Sequence, residues 1–205
     1  MVCVLLFRGI RYSLFAKDEI VNLSVFRYFC LIVMVALMVG VSPNAWGSFS
    51  DGVDAYKRGD YATVLKEFRP LAERGNPQAQ AILGVMYVEG KGIVQNYKEA
   101  FKYFRMSAVQ GHARAQYYLG VMYENGQGIP KDYELAVQWY RKSAEQGDEF
   151  AQYSLGGMYV RGNGVPKDYT LAAKWYRKSA EQGNVDAQHN LDVLNGNRRG
   201  IPKPA

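Results

Sequence analysis

The hydrophobic and small residues of this chain recur with a period of 36 residues. The stretch Ala115–Phe150 nearly reproduces itself in Ala151–Asp186, and a looser copy precedes it in Ala79–Arg114. Within each copy these residues fall into two successive segments. In each segment they recur every three or four residues, which is the spacing of one side of a helix. A fixed period of this length is typical of arrays in which each unit packs on its neighbours. We therefore predict an all-α fold, built as a stack of antiparallel helix pairs.

Capping residues and glycines predict where each helix begins and ends. Short polar side chains favour helix starts, and glycine favours helix ends because it adopts a left-handed conformation at little cost. The first helices are expected to begin near Asn76, Asp148 and Asn184 and to end at Gly90, Gly126 and Gly162. The second helices are expected to open at Asn96, Asp132 and Asp168 and to close at Gly111, Gly147 and Gly183. Gly84 and Gly120 lie inside first helices, which indicates that two helices approach closely there.

Less regular sequence flanks the three copies. Residues 48–78 carry the second-helix pattern after a short turn, with a preceding helix expected around Phe49–Arg58, and predict a shorter first unit. Residues 187–205 begin a fourth copy that decays into a partial capping unit and a tail. The predicted organisation is a leader, a first unit, three repeats and a cap: 1–47, 48–78, 79–114, 115–150, 151–186 and 187–205.

The leader contains an apolar segment at residues 28–41, YFCLIVMVALMVGV. Its length suits the hydrophobic region of a signal peptide better than a membrane span, and Ala45 and Gly47 resemble a cleavage site before Ser48. We therefore expect a periplasmic or secreted protein. An uncleaved leader that anchors the chain in a membrane through residues 28–41 is the alternative, because about 27 residues precede the apolar segment. Both cysteines, Cys3 and Cys30, fall in the leader, so the repeats can enter an oxidising compartment without disulfides.

Charge and composition exclude several function classes. The net charge is +6, but lysine and arginine alternate with glutamate and aspartate along the repeats, whereas nucleic-acid binding needs a concentrated basic surface. The two histidines, His112 and His189, lie about two repeats apart, and no catalytic set, phosphate-binding loop or metal-ligand spacing accompanies them. We expect no enzyme activity, no cofactor, no metal and no nucleic-acid partner.

The repeated positions resemble the Sel-one-like repeat family, a relative of the tetratricopeptide repeat. The unit from Ala115 matches the family pattern at Ala115, Leu119, Gly120, Tyr123, Gly126, Gly128, Ile129, Asp132, Tyr133, Ala136, Trp139, Tyr140, Lys142, Ala144 and Gly147. The unit 48–78 resembles the tetratricopeptide form. The resemblance implies a right-handed superhelical solenoid of α/α pairs and a role as a scaffold or adaptor for proteins. A cysteine-rich subgroup is linked to penicillin binding and β-lactamase activity, so a cell-envelope enzyme or binder acting on cell-wall peptides or β-lactams is the alternative function.

Positions that vary between copies are candidates for partner binding. On the first helices they fall on the arc opposite the repeated positions, and in a superhelix of this kind the first helices line the concave side. We therefore predict a groove for a protein or peptide, with Tyr117, Tyr118, Phe150 and Tyr153 as aromatic anchors. Its residues are Arg114, Tyr117, Tyr118, Val121, Asn125, Phe150, Tyr153, Ser154, Arg161, Asp186, His189 and Asn190. The alternative is that some of these rings pack against a neighbouring helix.

The outer face of the second helices carries a row of cations. Arg105, Arg141 and Arg177 recur in register along the array. A solvated surface is the favoured interpretation of this row, and a site for an acidic partner is the alternative.

Overall fold

The computed structural model describes the backbone of residues 44–198 and the side chains of residues 49–196. The chain divides into two units, residues 1–45 and 46–205, and nearly all described residues belong to the second. The helices of this part are α1 Asn44–Arg58, α2 Tyr61–Glu73, α3 Pro77–Glu89, α4 Tyr97–Val109, α5 Ala113–Asn125, α6 Tyr133–Glu145, α7 Glu149–Arg161, α8 Tyr169–Ala180 and α9 Val185–Arg198. Within residues 44–198 the remaining segments are turns and short loops.

From α2 onward each helix packs against the next one along the chain, and α1 packs against α2 through Phe49 and Phe68, whose ring centroids lie 5.4 Å apart. The helices form the pairs α1/α2, α3/α4, α5/α6 and α7/α8, and α9 ends the described stack as an unpaired first helix. The buried residues form three clusters, in α1–α3, α3–α5 and α6–α9, and each cluster crosses from one pair to the next. The predicted all-α solenoid of helix pairs is confirmed.

The N-terminal predictions fall largely outside the described residues. This holds for the apolar segment 28–41 and for the tail from residue 199. Within the described part, α1 begins at Asn44, five residues before the expected start at Phe49. No helix among residues 44–198 combines the length and the apolar character that crossing a membrane requires.

Glycines let the two helices of a pair meet through an aromatic ring. A Cβ atom built on Gly120 would lie 2.6 Å from Cδ1 of Tyr140, so the ring of α6 lies directly on the backbone of α5. The same contact joins Gly84 to Phe104 and Gly156 to Tyr176. In α9 the equivalent position is Asp192, which leaves no flat surface for a further ring. The close approach of two helices that the sequence indicates at these glycines is therefore present. It does not recur at α9, where Asp192 stands in place of the glycine.

The predicted capping residues stabilise the helix ends. Asp132 accepts a hydrogen bond from the backbone N–H of Leu135 at 2.9 Å, and Asn76 accepts one from Ala79 at 2.8 Å. Gly126 ends α5 with φ of 71°, a left-handed conformation that glycine adopts without strain. Equivalent caps and glycines close the other pairs, which gives the helices nearly equal lengths.

A buried network of glutamine and serine side chains fixes each unit on the next. Gln116 donates to the carbonyl of Ala108 at 3.1 Å and accepts a hydrogen bond from Gln146 at 2.7 Å. Ser143 donates to the carbonyl of Ala113 at 2.7 Å. The equivalent hydrogen bonds, from Gln80, Gln152, Ser107, Ser179, Gln110 and Gln182, recur at the other junctions. The serines and the glutamines of the first helices, such as Ser143 and Gln116, are buried and hydrogen-bonded, whereas Gln146 and its equivalents are exposed. The buried hydrogen bonds hold neighbouring helices in a fixed register.

Candidate functional site

The exposed sides of α1, α3, α5, α7 and α9 adjoin one another, and we name this surface the first-helix face. Neighbouring first helices touch through their side chains: Arg114 Nε lies 3.1 Å from Asp148 Oδ2, and its guanidinium lies 4.4 Å from the ring centre of Phe150. Farther along the same helices, Arg161 Nη2 lies 3.0 Å from Glu124 Oε1. The predicted binding residues of α5, α7 and α9 therefore belong to one surface.

Three of the predicted aromatic anchors also take part in packing. The ring of Tyr118 stacks on Phe104 with 4.8 Å between centroids, and the ring of Tyr153 lies 5.6 Å from that of Tyr176. Tyr117 lies 6.0 Å from Tyr140. The alternative interpretation, that some of these rings pack against a neighbouring helix, holds for the three rings, because each fills space beside an aromatic residue of a second helix. Their role in binding stays a prediction.

An apolar hollow of about 460 Å³ lies where α1, α3 and α5 meet. Ile82 and Val85 line it from α3, and Tyr118 lines it from α5. Glu89 lies at one end, beside Lys91 at 2.8 Å. We name it the apolar hollow; its full lining is Phe49, Tyr56, Gln78, Ala81, Ile82, Val85, Glu89, His112, Arg114 and Tyr118.

A second hollow, of about 260 Å³, lies where α5, α7 and α9 meet, and its lining is polar. Glu124 accepts hydrogen bonds there from the hydroxyl of Tyr140 at 2.6 Å and from Arg161 at 3.0 Å. Asn190 donates to the hydroxyl of Tyr153 at 3.3 Å. We name it the polar hollow; its lining is Glu124, Tyr153, Ser154, Gly157, Arg161, Tyr176 and Asn190.

The hydroxyl of Tyr140 is held protonated beneath the polar hollow. Burial, and then the neighbouring carboxylate of Glu124, raise the pKa of Tyr140 far above its ordinary value. The hydroxyl is therefore a donor at any physiological pH, and its hydrogen bond keeps the carboxylate of Glu124 in place. Since Arg161 binds the other oxygen of Glu124, the charges of the polar hollow balance within the protein.

The hollows contain some of the predicted residues and leave out others. Arg114 and Tyr118 line the apolar hollow, and Tyr153, Ser154, Arg161 and Asn190 line the polar hollow. Tyr117 and Phe150 lie beside each other, with 5.9 Å between ring centroids. Val121 packs against the core, and Asn125, Asp186 and His189 are exposed outside both hollows.

The list of predicted binding residues leaves out much of the apolar hollow. Gln78, Ile82, Val85 and Glu89 occupy, in the copy from Ala79, the same variable register that supplies the predicted residues in later copies, so the period itself identifies them. Phe49 and Tyr56 come from α1, whose sequence is too irregular to be aligned with the repeats.

His112 caps α5 at the edge of the apolar hollow, and this makes the cap sensitive to acid. Its Nδ1 accepts a hydrogen bond from the backbone N–H of Ala115 at 3.2 Å, which requires the unprotonated ring. Burial, and then the charge of Arg114, lower the pKa of His112 from 6.5, although Asp148 opposes this. The stabilising contribution is therefore present above the ordinary pKa and is lost as the pH falls through the lowered one.

We expect this loss to be measurable as a change in thermal stability. Between about pH 7 and pH 5, the unfolding midpoint of the natural chain should fall by roughly 2–4 °C more than that of His112→Asn. Asparagine caps α3 at the equivalent position, Asn76, and does not titrate there. Equal shifts in the two proteins would contradict a role of His112 in the acid response.

The arginine row of the second helices is exposed. Arg105, Arg141 and Arg177 lie at the surface of α4, α6 and α8, and Arg141 Nη2 donates to the hydroxyl of Tyr159 at 3.0 Å. Among residues 49–196, no three histidine, cysteine, aspartate or glutamate side chains are grouped so that they could hold a metal ion.

Comparison with known proteins identifies the repeat. The family model described as Sel1 repeat matches residues 77–112, 113–148 and 150–184. Each match begins one or two residues before a copy that the sequence period defines, and the predicted family resemblance is confirmed. No curated protein matches the chain.

Several solved structures are similar to this chain. A Sel1 repeat protein from Oxalobacter formigenes is 36% identical with a TM-score of 0.68, over 74% of this chain and 63% of that one. The protein c5321, a protective antigen present in uropathogenic Escherichia coli strains and displaying an SLR fold, is 35% identical with a TM-score of 0.72, over 82% of this chain and 36% of that one. Cysteine-rich protein B of Helicobacter pylori is 26% identical with a TM-score of 0.51, over 62% of this chain and 97% of that one. The chain thus spans less than two thirds of the first two structures.

Proposed function

Because this chain belongs to the Sel1 repeat family, whose members are generally protein-interaction scaffolds, we propose that it is a non-catalytic scaffold that binds a protein or peptide on its first-helix face. The apolar hollow carries this proposal. It brings together side chains of three helices, so its shape depends on the folded array, and apolar surface of this kind favours association with a partner.

The outer face of α4 is the competing surface. A depression of about 450 Å³ there is lined by Phe101, Lys102, Arg105, Met106 and Val109. All of these residues belong to one helix, and the side chain of Val109 is 66% exposed. The first-helix face is favoured because its hollow draws on three helices and places half-buried apolar groups where a partner side chain can bury them.

Matched lysine substitutions distinguish the two surfaces. Val85→Lys places a charge in the apolar hollow, Val109→Lys places it on the outer face of α4, and Val94→Lys places it at an 85% exposed loop position. The partner recovered from extracts of the producing organism should decrease about tenfold or more for Val85→Lys, since burying a lysine charge against apolar groups is costly.

The two other variants should recover the partner like the natural chain. Circular dichroism of each variant checks that the helices remain folded. Loss of the partner in Val109→Lys together with full recovery in Val85→Lys would place binding on the outer face of α4 and contradict the proposal.

We also propose that the repeats act outside the cytoplasm. Two features of the sequence support this. Segment 28–41 is apolar, and both cysteines, Cys3 and Cys30, lie in the leader and not in the repeats. Sequencing the N-terminus of exported protein tests the cleavage. A start at Ser48 supports a signal peptide, whereas a start at Val2 supports retention of the leader as an anchor.

The absence of catalysis is part of the proposal. The cysteine-rich relatives suggested action on cell-wall peptides or β-lactams, but residues 31–205 contain no cysteine. We expect the purified protein to hydrolyse neither muropeptides nor β-lactams above the rate in buffer, and measurable turnover would contradict the scaffold role.

A further inference from the structure

The apolar and polar hollows occupy the same register of the array. On α3 the apolar hollow is lined by Ala81, Ile82, Val85 and Glu89. Seventy-two residues later, which is two repeats, Tyr153, Ser154, Gly157 and Arg161 line the polar hollow on α7. The two hollows are therefore one kind of site, present twice on the first-helix face.

The side chains at these equivalent positions have opposite chemistry. Ile82 and Val85 give the first hollow an apolar centre, whereas Ser154 and Gly157 replace them in the second. Gly157 leaves a space that the guanidinium of Arg161 covers, since a Cβ atom at Gly157 would lie 3.0 Å from Arg161 Nη1. The polar hollow is therefore present because Gly157 has no side chain, and the guanidinium of Arg161 extends into the space that a side chain would fill.

The polar hollow offers both donors and an acceptor, and its charges are already balanced. Arg161 donates to the carboxylate of Glu124, which also accepts from the hydroxyl of Tyr140, and Asn190 donates to the hydroxyl of Tyr153. An incoming carboxylate would face Glu124, and an incoming ammonium group would face Arg161. A neutral hydroxyl or amide, which both donates and accepts, fits this arrangement without breaking the ion pair.

The surface between the hollows is suited to an extended chain. Tyr117 and Phe150 form an aromatic contact there, at 5.9 Å between centroids. With the usual 8–10 Å between packed helices, two repeats place the hollows roughly 20 Å apart. An extended segment of about six residues spans that distance at 3.3 Å per residue.

We propose that the first-helix face binds an extended partner segment of about six residues, with an apolar side chain in the apolar hollow and a neutral hydroxyl or amide side chain in the polar hollow. This rests on the proposed function, because it requires a partner on the same face. It goes further by naming the chemistry and the spacing of the two recognised side chains.

Exchanging the two chemistries tests the inference. In one variant Ile82→Ser and Val85→Gly give the apolar hollow the residues of the polar one. In the other, Ser154→Ile and Gly157→Val do the reverse.

A phage-displayed library of random peptides of about twelve residues, long enough to span both hollows, is selected against each full chain and against Val85→Lys. Melting curves of all proteins confirm folding, and Ile82→Ser or Ser154→Ile alone replaces a double variant that does not fold.

The natural chain should enrich peptides with an apolar residue and, about six positions away, serine, threonine, asparagine or glutamine. The variant with isoleucine and valine in the polar hollow should enrich apolar residues at both positions. The variant with serine and glycine in the apolar hollow should bind the peptides of the natural chain at least tenfold more weakly.

Two results would overturn the inference in different ways. If all folded variants select the same peptides while Val85→Lys selects none, the face binds a partner but the polarity of the hollows does not choose it. If no peptide is enriched, or if Val85→Lys selects the peptides of the natural chain, the proposed function fails together with the inference.

Discussion

Replacing Tyr140 with alanine should lower the free energy of unfolding by about 3–5 kcal/mol, a value typical of a large aromatic side chain lost from a core. The side chain of Tyr140 is 1% exposed and lies on the backbone of Gly120, so its removal leaves a cavity between α5 and α6. The same substitution removes the hydrogen bond to Glu124. Chemical denaturation monitored by circular dichroism measures the loss.

Two companion variants separate packing from hydrogen bonding. Tyr140→Phe keeps the ring and should cost only about 1–2 kcal/mol, since it removes one hydrogen bond to a charged group. Tyr169→Ala changes a tyrosine that is 47% exposed and should cost less than Tyr140→Ala. A loss in Tyr140→Phe as large as that in Tyr140→Ala would show that the hydroxyl, and not the packed ring, stabilises the pair.

Replacing Gly120 with alanine should destabilise the protein by about 2–3 kcal/mol, although alanine is the better helix former. The added methyl group would lie 2.6 Å from Cδ1 and 2.7 Å from Cε1 of Tyr140. The hydrogen bond of Tyr140 to Glu124 and the surrounding core hold the ring, so α5 and α6 must move apart. Thermal unfolding measures the effect.

Gly196→Ala is the matched control for this substitution. Gly196 lies in α9, and a Cβ atom added there has no neighbour within 4 Å. Its unfolding midpoint should stay unchanged or rise slightly, since alanine lowers the entropy of the unfolded chain. If Gly120→Ala is as stable as Gly196→Ala, the close approach of the helix pair does not depend on glycine.

The fold was predictable because its signals are local and repeated. Asn96, Asp132 and Asp168 cap the second helices through side chains that reach the N–H groups of the following turn. Gly126 marks a helix end by a conformation that few other residues adopt. Each signal occurs at the same position of every copy, so the helix pairs follow from residue chemistry and the period.

The candidate site was harder to predict because it depends on contacts between units. Variation between copies makes positions such as Tyr117 and Tyr118 candidates for partner binding. In the folded protein both rings contact aromatic residues of second helices, because a position can vary and still be half-buried. The polar hollow at Gly157 arises from the absence of a side chain, which a search for binding residues overlooks.

The array combines a repeated set of hydrogen bonds with a surface that differs between units, which is what the proposed function requires. Buried glutamines hold the three junctions from α2/α3 to α6/α7 in the same way, as Gln116 does between α4 and α5, and buried serines such as Ser143 join the two helices of a pair. The first-helix face, in contrast, differs from unit to unit. The same position of the repeat is Val85 in the apolar hollow and Gly157 in the polar hollow. Positions on the first-helix face therefore vary while the helix pairs keep the same stacking, although rings such as Tyr118 also pack against second helices.

Site-specific photocrosslinking in the producing cells tests the central claim, partner binding on the first-helix face, most directly. A photoreactive residue at position 85 lies in the apolar hollow, and one at position 109 lies on the outer face of α4. Binding on the first-helix face predicts a discrete crosslinked product from position 85 and none from position 109. A product from position 109 with none from position 85 would contradict it.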